Sequence, residues 1–67
     1  MSVVKIIELL AESTESWEAA TQAAVSEAAK TIEHIKNVYV QDFKAFVEDG
    51  KIVRYRVNAK ISFVVHD

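Results

Sequence analysis

The stretch KIVRYRVNAKISFVV, residues 51–65, decides the fold. Val53, Tyr55, Val57, Ala59, Ile61, Phe63 and Val65 share one parity, and Arg54, Arg56, Asn58, Lys60 and Ser62 share the other. A period of two sends these sets to opposite faces of one long β-strand. One helix in the chain cannot cover a strand of this length, so a single copy exposes more sheet than it protects. The pattern therefore predicts repeated self-association and places a functional site where copies meet.

Just upstream, VYVQDFKAFV at residues 38–47 reads as a second strand whose alternation changes phase. Val38 and Val40 share one parity, whereas Phe43, Ala45 and Val47 share the other. One extra residue near Gln41–Asp42, a β-bulge, returns both sets to one face. A three-residue loop Glu48-Asp49-Gly50, with the chain's one glycine in the left-handed position, then sets Val47 opposite Lys51. In that register Ala45 faces Val53, Phe43 faces Tyr55, Val40 meets Val57 and Val38 meets Ala59, apolar against apolar throughout. A two-residue Asp49-Gly50 turn would put Lys44 opposite Tyr55 and Asp42 opposite Val57, so the longer loop is preferred.

Further back, residues 14–35 are rich in alanine and glutamate and contain neither glycine nor proline. Trp17, Ala20, Ala24, Ala28, Thr31 and Ile35 fall on one stripe of a helix, flanked by Thr21, Val25 and Ile32. Ser13 is the expected cap, Glu15 and Glu18 lie near the positive end of the dipole, and Lys30 and Lys36 fall near its negative end. Residues 3–11, VVKIIELLA, read as a first strand. The order is β-α-β-β, an α+β domain over residues 1–67. A right-handed crossover and an antiparallel return place the third strand between the other two, giving a three-stranded sheet of order 1-3-2 wrapped on one helix.

Composition narrows the function classes. A domain of 67 residues hides only about 60% of the surface its unfolded chain exposes and usually needs a staple. The chain has no cysteine, which excludes disulfides, thiolate metal sites and cysteine nucleophiles. His34 and His66 are far apart and sit in no metal-ligand spacing. Oligomerisation is the staple that remains. A net charge of −2 gives no footprint for nucleic acid. No apolar run approaches a membrane span, and the first residues lack the zones of a signal peptide, so a cytoplasmic location is expected. The chain offers no Gly-rich phosphate loop, activated nucleophile or acid/base pair that one copy could assemble, and it is not expected to be an enzyme.

Several segments in their order and spacing resemble the dodecin family. They are Val4-Lys5-Ile6-Ile7-Glu8, then Ser13-Thr14-Glu15-Ser16-Trp17-Glu18-Ala19-Ala20, then Ala23-Ala24, Ala28 and Thr31. Asp49-Gly50-Lys51-Ile52 and the run from Tyr55 to Phe63 complete a match that covers nearly the whole chain. The resemblance implies a hollow homododecamer that binds and stores flavins, FMN, riboflavin or FAD, as stacked pairs at subunit interfaces without turning them over. Calcium or a coenzyme A-like anion is the alternative ligand, and a structural shell without flavin is the alternative function.

The same resemblance places the ligand. The tryptophan that stacks on flavin in the family corresponds to Asn37, and the glutamine that binds the ring edge corresponds to Arg56. The glycine that usually ends the first strand corresponds to Ala11. A stacking plane contributes about 1–3 kcal/mol in comparable sites, so its absence predicts flavin affinity lower by roughly 10- to 100-fold. Asn37, Tyr39, Arg56 and Asn58 are the candidate ligand-binding residues.

Each has a structural alternative. Asn37 would otherwise cap the helix C-terminus, which is the favoured reading. Arg56 would otherwise pair with a carboxylate such as Glu8 or Asp42. Tyr39 and Tyr55 would pack on the sheet. Trp17 lies in the alanine stripe and is read as core, His34 sits near the helix end, and His66 and Asp67 are tail residues.

Overall fold

A computed structural model describes residues 2–66. Four elements follow in order: β1 (Val3–Ser13), α1 (Trp17–Ala29), β2 (Ile35–Glu48) and β3 (Lys51–His66). The strands form one antiparallel sheet in the order β1-β3-β2, as the sequence predicts. His66 belongs to β3 and pairs with Val3, so it is not a free tail; Asp67 lies outside the described residues.

The core is a match of two repeats. Ala20, Ala24 and Ala28 recur every fourth residue on α1, a rise of about 6 Å per step. Val57, Ala59 and Ile61 recur every second residue on β3, about 6.6 Å per step. These are the six buried hydrophobic residues among the described residues, and they form one core cluster. Ile7, Leu9 and Ala11 of β1 and Val38 and Val40 of β2 close the sides. Their register partners on β3 are the same three buried residues, so one face of the sheet carries the whole apolar set.

The helix is too short for the sheet it covers. At 13 residues it spans about 20 Å, while the 16 residues of β3 span about 53 Å. The chain is accordingly elongated, 52 × 20 × 13 Å, with a radius of gyration of 13.8 Å where about 11 Å is typical of its length. Its accessible surface is 4932 Å², against about 4200 Å² for a compact monomer of this mass.

Several local expectations are corrected. The helix begins at Trp17, capped by Ser16, whose extended backbone (φ −170°) lets Oγ accept from Ala19 N at 2.9 Å. Ser13 instead ends β1, and its Oγ accepts from Glu15 N at 2.9 Å. The helix ends at Ala29, not near Ile35, and Lys30 caps it while pairing with Glu27 at 3.0 Å. Thr31 is exposed outside it, and His34 turns the chain into β2 with φ 60°. Val64 N donates to His34 O at 3.1 Å and pins that turn to β3. Asn37 is therefore no helix cap: it lies in β2 opposite Ser62, and Lys36 lies in β2 beside it.

The hairpin differs too. Glu48 pairs with Lys51, so the loop is the two-residue Asp49-Gly50 turn, with φ 51° and 76°. A bulge at Val53 on β3 restores the phase that this shorter turn would otherwise invert. The predicted bulge at Gln41 is present. Together they pair Ala45 with Tyr55, Phe43 with Val57, Val40 with Ala59 and Val38 with Ile61, two residues from the expected register. A slip of two leaves every side chain on its expected face, which is why the core residues are still the predicted ones.

Candidate functional site

The sheet face turned away from α1 is built by the second parity of each strand. Register sets Glu12, Arg56 and Lys44 on one rung, Leu10, Asn58 and Asp42 on the next, then Glu8 with Lys60 and Tyr39, and Ile6 with Ser62 and Asn37. No second layer covers it among the described residues. Leu10 and Tyr39 are 66% and 62% exposed, and Val4 and Ile6 are also exposed. All four candidate residues, Asn37, Tyr39, Arg56 and Asn58, lie on this face.

They do not lie together. Asn37 and Arg56 are separated by the six residue steps from Arg56 to Ser62 along β3, about 20 Å. Arg56 and Asn58 share an open cavity of about 360 Å³ with Leu10, Asp42, Phe43 and Lys44. Asn37 and Tyr39 are not part of it. A ligand touching both ends would need the Asn37 end of one copy beside the Arg56 end of another. Within the cavity, Asn58 Oδ1 is shut off from solvent and has no hydrogen-bond partner in the chain, an arrangement that costs free energy unless something outside supplies a donor.

At the hairpin end, Arg56 Nε donates to Glu12 Oε2 at 2.6 Å, and Arg54 Nε lies 3.1 Å from Glu12 Oε1. The Arg54 contact is an ion pair without hydrogen-bond alignment, and its Nε is buried with no acceptor. Both guanidiniums lie over the Phe46 ring, at 4.5 and 4.8 Å from its centroid. The expected partners of Arg56, Glu8 and Asp42, are thus replaced by Glu12. Glu12 lies one residue past the 3–11 span expected for the first strand, but it belongs to β1, where the register sets it directly across from Arg56.

The other candidates pack as residues of the fold. Trp17 is half-buried against the core and meets Tyr55 edge-on at 4.9 Å and Phe43 at 5.8 Å. Its Nε1 donates to Lys44 O at 3.2 Å and ties α1 to β2. An apolar groove of about 370 Å³ runs beside it, lined by Trp17, Val25, Val38, Val40 and Phe43 among others. A third hollow of about 520 Å³ lies between the end of α1 and the end of β3, and holds none of the candidate residues. Among the described residues no group of three or more His, Asp or Glu could hold a metal ion. Among the described residues no helix is long and apolar enough to cross a membrane.

Sequence reasoning missed Arg54, Glu12 and Phe46 as a unit. The signal that could have found them is the parity Arg54 shares with Arg56, combined with the β1 register that brings Glu12 across.

Comparison with known proteins agrees with this architecture. The Dodecin family profile matches residues 3–66. A Mycobacterium tuberculosis protein named calcium dodecin is 32% identical over 63 residues, covering 94% of this chain and 89% of that protein. A Thermus thermophilus protein named dodecin is 33% identical over 61 residues, covering 91% and 88%. The crystal structure of a variant of the Thermus thermophilus dodecin superposes with a TM-score of 0.92 at 30% identity, covering all of both chains. A match of the profile to nearly the whole chain, on the same strand order and single helix, places this protein in the dodecin family.

Proposed function

We propose that copies of this chain close into a homododecamer that binds and stores a small molecule in pockets at subunit interfaces, without catalysis. The observation that carries this reading is the bare outer face of the sheet. Val4, Ile6, Leu10 and Tyr39 stand exposed on it, and Asn58 Oδ1 sits there desolvated and unpartnered. The separation of Asn37 from Arg56 supports an interfacial site, since only a second copy brings the two ends to one ligand.

The pocket is of flavin type, with Asn37, Tyr39, Arg56 and Asn58 contacting the ligand. Asn37 supplies no stacking plane, and flavin is held more weakly by about 10- to 100-fold than by a site with an aromatic face. Calcium is the second ligand, favoured by the relative named calcium dodecin. The described residues of one copy hold no cation cage, so such a site would draw carboxylates from several copies.

Light scattering with an absorbance spectrum of the untreated protein tests the proposal. The expected mass is about 90 kDa, twelve times 7.5 kDa. Riboflavin or FMN is expected to raise the thermal midpoint. A folded species of 7.5 kDa and nothing larger overturns the assembly. An assembled protein that ignores both flavins overturns the flavin reading and leaves calcium, tested by the same melting shift.

A further inference from the structure

We propose that Arg54 and Arg56, stacked on Phe46 and joined by Glu12, form a recognition site for a phosphate group on the ligand of the outer sheet face. The inference rests on the reading of that face as a ligand site and names the chemical class of what it holds.

Charge is the first reason. Arg54, Arg56 and Lys44 occupy two adjacent rungs, and Glu12 is the one carboxylate ion-paired with any of them among the described residues. Asp42 lies one rung along, in the same cavity. Two guanidiniums over one ring repel each other unless anions sit between them. Glu12 supplies a single negative charge for both, so the pair is half neutralised.

Donor count is the second reason. Each guanidinium carries five N–H donors and a carboxylate has about four acceptor positions, so Glu12 cannot satisfy the pair. Arg54 Nε shows the shortfall directly, since it is buried beside Glu12 without a hydrogen bond. Both heads lie over the Phe46 ring, which offers their N–H donors no oxygen acceptor. A phosphate ester offers several terminal oxygens and close to two negative charges, which matches two forks better than one more carboxylate does. Arg56 also lines the cavity with Asn58 and Leu10, so the body of the same ligand lies beside its phosphate.

Titration of the assembled protein with inorganic pyrophosphate, followed by ³¹P line broadening and calorimetry, tests the site without any flavin. The wild-type protein is expected to bind, with affinity falling as salt rises. Arg54→Gln and Arg56→Lys are each expected to weaken binding at least about tenfold, since the second keeps the charge and loses the fork. Glu12→Gln, which removes the competing internal anion, is expected to tighten it. Light scattering confirms that each variant is still assembled. No binding by the wild type, or equal binding by Arg54→Gln and Arg56→Lys, overturns the proposal. A paired titration with FMN and riboflavin separates it from the broader reading. Equal affinity for the two leaves the flavin pocket standing and removes the phosphate site. Pyrophosphate held through both arginines, with neither flavin bound, does the reverse.

Discussion

Replacing Ala24 by leucine tests the interlocking of helix and strand. Ala24 is the middle alanine of the stripe and is 2% exposed. Its neighbours in the core are the small repeat of α1 and the Val57-Ala59-Ile61 row of β3, all buried. Leucine adds three heavy atoms at a position closed to solvent inside the core cluster, so α1 is expected to lift from the sheet or the side chain to leave its rotamer. Overpacking of this kind costs about 1–3 kcal/mol per subunit. In a domain of this size each kcal/mol moves the thermal midpoint by about 4–8 °C, which predicts a drop of about 4–24 °C.

The control is Ala23→Leu, one residue away and exposed. Alanine and leucine have nearly equal helix propensity, so that change is expected to stay within about 0.5 kcal/mol. Both variants are melted by circular dichroism at one protein concentration, because assembly linked to folding makes the midpoint concentration-dependent. Their masses are measured in parallel. Equal midpoints for two correctly assembled variants would refute the close approach of α1 to β3.

Asn58→Val is expected to stabilise the ligand-free protein by about 1–3 kcal/mol in chemical denaturation while weakening ligand binding, because it removes a buried carbonyl that the chain leaves unpartnered. A destabilised ligand-free variant would show that a neighbouring copy already satisfies it. Gly50→Ala meets no atom within 4 Å yet must hold φ 76°, so it is expected to cost about 1–2 kcal/mol, read as a lower urea midpoint with unchanged slope. No loss would mean that the turn relaxes freely. Asn37→Trp supplies a stacking plane and is expected to tighten flavin binding by about 10- to 100-fold in a fluorescence-quenching titration. An unaltered Kd would show that Asn37 does not face the flavin.

The faces of the sheet were legible in the sequence because parity survives errors of register. Val57, Ala59 and Ile61 are the buried centre that alternation predicted, and the phase change at Gln41 located its bulge. The hairpin was misjudged because one bulge was considered where β2 and β3 shift register three times, at Lys36, Gln41 and Val53. Val53 compensates the tight Asp49-Gly50 turn from the opposite strand, and nothing in its own residue type announces that. The helix was drawn too long because residues 30–37 contain neither glycine nor proline. Pairing of β2 with β3 up to Ile35 and Phe63 overrides their helical tendency, which Thr31, Ile32 and Ile35 already weaken as β-branched residues. Of the site, the four candidate residues could be placed on one face from parity alone. Their separation along β3, and the Glu12 bridge, required the register of β1 and β2 against it.

The strand order has a consequence for how this chain is made. β1 is the first strand to leave the ribosome, yet its partner is β3, the last, with Val3 joined to His66 and Ile7 to Ile61. At about 5–20 residues per second, the first strand waits several seconds with its edges unsatisfied while the remainder is synthesised. Loss of residues 61–66 would strip the partners of Val3 through Ile7 in one stroke. Closure of the sheet therefore waits on the synthesis of β3.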